Sequence, residues 1–104
     1  MKNLILDVEK FKNFTDEKYY KGLLWEGNTS RIMLICLKPG QEIKPHVHKG
    51  DHIWLVLEGS GEFLCSSAEP RVIDSGKIVV APDGADHGIR NHTKENLVFA
   101  SITV

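Results

Sequence analysis

The sequence is a succession of short runs rich in Ile, Val, Leu and Phe, each interrupted after a few residues by glycine, proline or asparagine. Runs of this kind that lack a helical periodicity are typical of β-strands joined by tight turns. They predict strands at residues 4–8, 19–26, 31–38, 53–57, 62–65, 71–73, 78–81, 87–90 and 97–104. The nearest approach to a helix lies within residues 8–20, where a single helical turn fits.

The connections between these runs indicate how the strands are arranged. Residues 27–30, Gly-Asn-Thr-Ser, separate two predicted strands as a hairpin turn would. Gly59 and Gly61 suit a turn with positive φ, and Pro82 with Gly84 suits another tight reversal. Parallel pairing needs long crossovers, which are absent, so we predict an all-β protein with antiparallel strands in a sandwich or barrel.

Length and charge limit the classes of protein to which this chain can belong. Its 104 residues suffice for one continuous core, so we expect a single domain over residues 1–104. The net charge is −1 and no block of basic residues is present, so we expect no nucleic-acid partner. No apolar run approaches the roughly 20 residues that span a bilayer, so we expect no membrane association.

The N-terminus and the cysteines bear on the compartment. Asp7 and Glu9 interrupt the first apolar residues, so the segment lacks a signal peptide's apolar centre and we expect a cytoplasmic protein. Cys36 and Cys65 are isolated and lie in apolar stretches. We expect both to be reduced and structural, because they form neither a disulfide framework nor a CxxC metal site.

Three of the five histidines, His46, His48 and His52, lie within seven positions. In a strand, His46 and His48 would share a face, but a turn precedes His52 and alternation cannot be carried through it. His87 is distant in sequence, yet antiparallel strands that are remote in sequence become neighbours in a barrel. Neutral imidazole is the commonest transition-metal ligand, so the pattern predicts a metal site; the alternative is a histidine-rich turn that is merely polar.

Two sets of residues with fixed spacings surround these histidines. They are Gly40, His46, His48 and Gly59, and then Gly76, Pro82, Gly84, His87 and Asn91. Both sets are similar to motifs of the small single-domain cupins (cupin 2, conserved β-barrel), G-x5-H-x-H-x3,4-E-x6-G and G-x5-P-x-G-x2-H-x3-N. The resemblance implies the cupin-type double-stranded β-helix, which is a jelly-roll barrel.

The chain departs from the first motif at one position, where His52 replaces the glutamate. Metal-binding cupins use the motif histidines and this glutamate, so the resemblance implies a four-histidine centre of His46, His48, His52 and His87. Four neutral imidazoles leave the full charge of a divalent ion, which then binds anionic oxygens more readily. The alternative is that His52 points away and three ligands remain.

Residues beside the motifs receive other roles. Asp51 is one step from the motif position and is expected in a turn facing solvent. Asn91 is expected to hydrogen-bond backbone near a strand end, and His92 to lie at the surface or behind the ligands. Core packing is the preferred interpretation of three apolar residues on the ligand faces, Trp54, Val56 and Ile89.

The resemblance implies several functions, because cupins include oxygenases, isomerases, decarboxylases, lyases and non-catalytic sensors. We expect a divalent transition metal, Fe, Mn, Ni or Zn, in an enzyme of the dioxygenase or isomerase type that acts on a small oxygenated metabolite. The alternative is a metal- or small-molecule-binding module without turnover. No general base is evident beyond the histidines, so no catalytic residue is assigned.

A homodimer is also expected, because small cupins commonly dimerise and a small sandwich leaves strand edges that must be covered or paired. The strands predicted at residues 4–8 and 97–104 are the candidates for this interface.

Overall fold

The computed structural model describes residues 2–104. Within this range the chain forms nine β-strands and one short 3₁₀ helix, Val8–Lys10. The strands, numbered in chain order, are β1 (Tyr20–Glu26), β2 (Arg31–Leu37), β3 (Glu42–His46), β4 (His52–Glu58), β5 (Ser60–Cys65), β6 (Ala68–Asp74), β7 (Ile78–Ala81), β8 (His87–Arg90) and β9 (Leu97–Thr103). Over the described range no helix is long and apolar enough to cross a membrane.

The strands form two sheets. One has five strands in the order β1-β2-β9-β4-β7, and the other has four in the order β3-β8-β5-β6. All pairings between the described strands are antiparallel. The predicted all-β, antiparallel architecture is therefore confirmed.

The main core fills the space between the two sheets. Strand β4 shows how the sequence builds it, because His52, Trp54 and Val56 are buried while the residues between them are half-buried. The Trp54 ring lies 4.7 Å from that of Phe99 and 6.0 Å from that of Phe63. The buried members of this cluster are Ile35, Leu37, Ile43, Trp54, Val56, Phe63, Ile89, Leu97 and Phe99. Trp54, Val56 and Ile89 are thus core residues, as predicted.

The N-terminal segment covers the other face of the five-stranded sheet. Val8 and Phe14 pack there against a second buried cluster, Leu34, Cys36 and Val98. Both cysteines are free thiols. Desolvation raises the pKa of the buried Cys36 thiol, which keeps it protonated and inert.

The strand predicted at residues 4–8 is wrong. Leu4 and Ile5 project into solvent, with 63% and 97% of their surface exposed. Asp7 instead starts the 3₁₀ helix, because its carboxylate accepts a hydrogen bond from the backbone N–H of Glu9 at 3.1 Å. A polar residue with this local partner favours a helical cap over a strand.

Strand β3, by contrast, was not predicted. It contains one buried residue, Ile43, among the exposed Glu42, Lys44 and Pro45. A strand with a single apolar residue has no alternating pattern from which it can be recognised.

Neither candidate strand for the dimer interface offers a free edge. Residues 4–8 form no strand, and β9 lies in the middle of its sheet with β2 and β4 on either side. The outer strands of the two sheets, β1, β7, β3 and β6, have the free edges instead. The expected homodimer itself stays a prediction.

The turn glycines differ in what they require. Gly59 and Gly84 have positive φ values of 81° and 88°. Gly61 does not, and the prediction of positive φ there is wrong. It is small for another reason, since an added Cβ would lie 2.7 Å from Leu97 Cδ2.

Candidate metal centre

Four histidines meet at one end of the space between the sheets. His46 ends β3 and His87 begins β8, and the two are direct partners in the four-stranded sheet. His52 begins β4 in the opposite sheet, and His48 lies in the loop that leads from β3 to β4. Both sheets and the loop between them therefore contribute imidazoles to one place.

The ring separations show how closely these side chains approach. Ring nitrogens of His46, His48 and His87 lie within 4.8 Å of one another, which is close enough to share an ion. The His52 ring stands outside that mutual group but beside it, with its centroid 4.9 Å from His48 and 5.0 Å from His87. Strand alternation does not explain His48, because β3 ends at His46; the two rings still meet edge to face at 4.3 Å.

Backbone carbonyls fix the orientation of two of the rings. His46 donates its Nδ1–H to the carbonyl of Lys44 at 2.8 Å, and His87 donates its Nδ1–H to that of Ala85 at 3.0 Å. A carbonyl oxygen can only accept, so the lone pair of each neutral ring is on Nε2. Metal-binding histidines commonly show this arrangement, with the other ring nitrogen bonded to a carbonyl.

Two buried nitrogens have no hydrogen-bond partner. Across residues 2–104, the buried side-chain polar atoms without a partner are Nε2 of His52 and Nε2 of His87. The residues are 7% and 1% exposed. Leaving such an atom unsatisfied costs roughly 1–3 kcal/mol, so two together at one place call for a ligand. This pair is the observation that the donor set fits a metal ion.

The environment also favours the neutral form of two of the rings. Desolvation, reinforced by the neighbouring imidazoles, lowers the pKa of His48 from 6.5 to about 4, although the residue as a whole is exposed. Burial likewise lowers the pKa of His52, and the nearby His87 lowers it further. Neutral imidazole is the form that coordinates metals, so these two side chains are ready to bind near neutral pH.

Paired carboxylates hold the loops that carry the histidines. The backbone N–H of Gly50 donates to Asp83 Oδ1 at 2.7 Å, and that of Asp83 donates to Asp51 Oδ1 at 2.9 Å. These bonds join the loop between His48 and His52 to the turn that precedes β8. Asp51 is exposed, as predicted, and lies in the loop just before β4; that its carboxylate helps to join the two loops was not predicted.

A glycine allows the two histidine-bearing strands to approach each other. A Cβ added at Gly88 would lie 2.5 Å from the carbonyl oxygen of Ile43 and 2.6 Å from the nitrogen of Pro45. Only glycine leaves room for this approach of β8 to β3, which sets His46 beside His87. The glycine that follows His87 in the sequence is the signal from which this close approach could have been predicted.

The histidines line a small cavity that opens into a wider mouth. The cavity has a volume of about 50 Å³ and is lined by Tyr19, Lys21, Arg31, Met33, Ile35, Ile43, His46, His48, His52, Trp54, His87, Ser101 and Thr103. The mouth, of about 340 Å³, shares Tyr19, Lys21, Ile43, His46 and His48 with it. Trp54 meets the His87 ring edge on, with centroids 5.3 Å apart, and so closes the inner side.

Asn91 and His92 take the places predicted for them. Asn91 is fully buried, and its Nδ2 donates to the carbonyls of Leu37 at 3.1 Å and Glu95 at 2.8 Å. It thereby ties the end of β8 to the end of β2. His92 is exposed and lies outside the group of ring nitrogens.

Comparisons with known proteins agree with the fold. The family profile described as "Cupin domain" matches residues 33–103. An uncharacterized conserved protein with a double-stranded β-helix domain from Klebsiella pneumoniae is 27% identical, with a TM-score of 0.92 over 99% of this chain and 90% of that one. The protein TT1209 from Thermus thermophilus is 30% identical (TM-score 0.88, 96% and 95% covered). An RmlC-like cupin protein from Desulfovibrio desulfuricans is 30% identical (TM-score 0.79, 99% and 96% covered). None of the curated proteins matches the sequence.

Proposed function

The chain belongs to the cupin family and has its double-stranded β-helix, and on that premise we propose that it binds a divalent transition metal. His46, His48 and His87 would hold the ion, with His52 as the fourth ligand. The supporting observation is the pair of buried, unpartnered Nε2 atoms of His52 and His87. The carbonyl-bound Nδ1 atoms of His46 and His87 support it independently, because they leave Nε2 free to coordinate.

Nitrogen donors of this kind suit Fe, Mn, Ni and Zn, and availability decides among them. Such an ion supplies Lewis acidity toward bound oxygen atoms, and iron adds redox chemistry with dioxygen. The chain favours the neutral form of His48 and His52 and orients His46 and His87 through backbone carbonyls. Trp54 and Ile35 exclude water on the inner side.

We further propose that the protein is an enzyme of the oxygenase or isomerase type acting on a small oxygenated metabolite. The cavity beside the histidines accommodates little more than a ligand's reacting end, and the mouth receives the remainder. No acidic side chain lines the cavity among the described residues, so proton transfer would fall to the ligand or to the hydroxyl groups of Tyr19, Ser101 and Thr103.

A second candidate is a binding module without turnover. The size of the cavity favours it, since about 50 Å³ is well below the roughly 300 Å³ or more of typical small-molecule sites. Oxygen consumption by the iron-loaded protein, measured across a panel of diketones and phenols, separates the two candidates. Steady consumption with any member supports the enzyme; binding without consumption or any other conversion supports the module.

The metal site is tested by elemental analysis of purified protein and its variants. We expect about one ion per chain in the wild type, and a loss of most of it in His48→Ala, because one of the three mutually close ligands is gone. His92→Ala is the matched control, since it removes an exposed histidine outside the cluster and should keep full metal content. Equal metal content in both variants would contradict the site.

A further inference from the structure

We propose that the ligand of this site is anionic: a small oxo acid whose carbonyl oxygens face the histidines and whose carboxylate is bound by Arg31 and Lys21. The inference rests on the proposed metal site and adds the chemical class of the molecule that enters it. It is carried by the position of these two cations on the wall of the histidine cavity.

The strand register places Arg31 on the same face as His52. Arg31 is the partner of Thr103 in β9, and Thr103 is in turn the partner of His52 in β4. Directly opposed residues of antiparallel strands project from the same face of a sheet. Two strand spacings separate the backbones of Arg31 and His52 by about 10 Å, which the long arginine side chain can bridge from the cavity wall.

Lys21 reaches the same space from β1. Its partner in β2 is Ile35, which also lines the cavity, so both side chains are on the inner face. Lys21 lines the mouth as well as the cavity and therefore stands where a ligand passes from one to the other.

Both cations are available to a ligand. Lys21 takes part in no ion pair within the described part of the chain. The acidic partner of Arg31 is Glu26, at 3.8 Å with both side chains about half exposed, and such a pair contributes little. A guanidinium group has five N–H donors, so most of its donors remain for a carboxylate.

The charged side chains around the site are mainly positive. The cavity lining contains Lys21 and Arg31 but no aspartate or glutamate among the described residues. The mouth adds Lys44 and a single acid, Glu42, which is the register partner of Arg90. A divalent ion would add to this positive potential, which an anionic ligand offsets.

The test uses the full chain loaded with zinc, which is redox-inert, so that binding is measured without oxygenation of the probe. Two probes are compared by titration calorimetry: 2,4-dioxopentanoate, and its neutral amide of the same size. We expect the acid to bind at least roughly tenfold more tightly, as charge-assisted hydrogen bonds of ordinary strength predict. Arg31→Gln and Lys21→Gln should each reduce the affinity for the acid several-fold and leave that for the amide unchanged. Arg71→Gln and Lys94→Gln, which remove exposed cations elsewhere, are the matched controls.

The outcomes separate this inference from the one on which it rests. Zinc bound at about one per chain, with equal affinities for acid and amide, would overturn the anionic ligand and leave the metal site intact. The same holds if the preference for the acid survives in both Arg31→Gln and Lys21→Gln. Failure to take up zinc would overturn both proposals.

Discussion

The space between the two sheets has two ends that the same strands build in opposite ways. The open end contains the four histidines with Ser101 and Thr103, and the closed end contains Leu37, Val56, Phe63, Ile89, Leu97 and Phe99. Along β4 the inward residues run from His52 to Val56, and along β9 they run from Thr103 to Leu97. The closed end is packed with apolar side chains, whereas the open end has nitrogens without partners.

The packed end stabilises the fold, and the end with the unpartnered nitrogens is the one proposed to bind the ion. Burial of the closed end provides the favourable free energy of folding, so the open end can tolerate two unsatisfied nitrogens at roughly 1–3 kcal/mol each. Closed-end variants should therefore lower stability without loss of zinc, whereas changes at the open end should act through the ion and the histidines; four measurements test this division.

The largest effect is expected at the closed end. Phe99 is fully buried, so Phe99→Ala should lower the free energy of unfolding by about 3–5 kcal/mol, measured by urea denaturation. Zinc per folded chain should not change, because Phe99 does not line the histidine cavity. Phe11→Ala, at a half-exposed phenylalanine, is the control and should cost far less. A loss of zinc in the folded Phe99→Ala protein would show that the two ends are coupled.

The next effect is expected from the metal itself. An ion that binds only the folded chain stabilises it by mass action, by about 2.7 kcal/mol at a hundredfold excess over the dissociation constant. We expect zinc to raise the melting temperature of the wild type, and a chelator to return it to the metal-free value. The same titration of His48→Ala should give little shift. If neither zinc nor the chelator changes the melting temperature of the wild type, the proposed metal site at the open end is contradicted.

His52→Glu changes one of the four proposed ligands at the open end. The first cupin motif has a glutamate where this chain has His52. We therefore expect the variant to retain the ion, with a change in affinity of roughly tenfold or less. The carboxylate also lowers the net charge of the centre, which should weaken the binding of anionic probes. Competition titrations of zinc and nickel against a chromogenic chelator measure the affinity. Complete loss of metal would mean that the space around His52 accepts only an imidazole.

The smallest effect is expected from pH on the metal-free protein. The pKa of His48 is lowered to about 4 in the folded state and that of His52 is also lowered, so between pH 6.5 and 4 the unfolded chain binds more protons. Stability should thus be fully present above pH 6.5 and fall as the pH drops through this window. Exposure of His48 screens part of the effect, so the decrease should be well below that of Phe99→Ala. Urea midpoints between pH 7.5 and 5 measure it, and His48→Asn should show a shallower decrease.

Much of the strand framework could be predicted from the sequence, because alternation and turns determine it. The strands at residues 78–81 and 87–90 were predicted with their observed bounds, as was the hairpin around residues 27–30. The prediction failed where partners outside the segment decide the outcome. Residues 4–8 are apolar but find no neighbouring strand, and β3 is polar but is held by β8.

For the open end, the sequence predicted which residues meet there but only part of how they are placed. Motif spacing identified the four histidines, and the structure brings them together. His48 reaches the group from a loop rather than from a strand. Hydrogen bonds accepted by the carboxylates of Asp51 and Asp83 hold that loop, and no local sequence pattern reveals them. The place of His52, next to but outside the mutually close three, depends on the distance between the sheets, which one-dimensional spacing cannot supply.

The central position of β9 has a consequence for biosynthesis. This strand joins β2 to β4, so the five-stranded sheet stays in two parts until residues 97–103 have left the ribosome. Those contacts link distant parts of the chain, which makes their formation slow compared with local hairpins. The nascent polypeptide therefore exposes the inward residues of β2 and β4 until then, and the emergence of β9 is the event that permits the barrel to close.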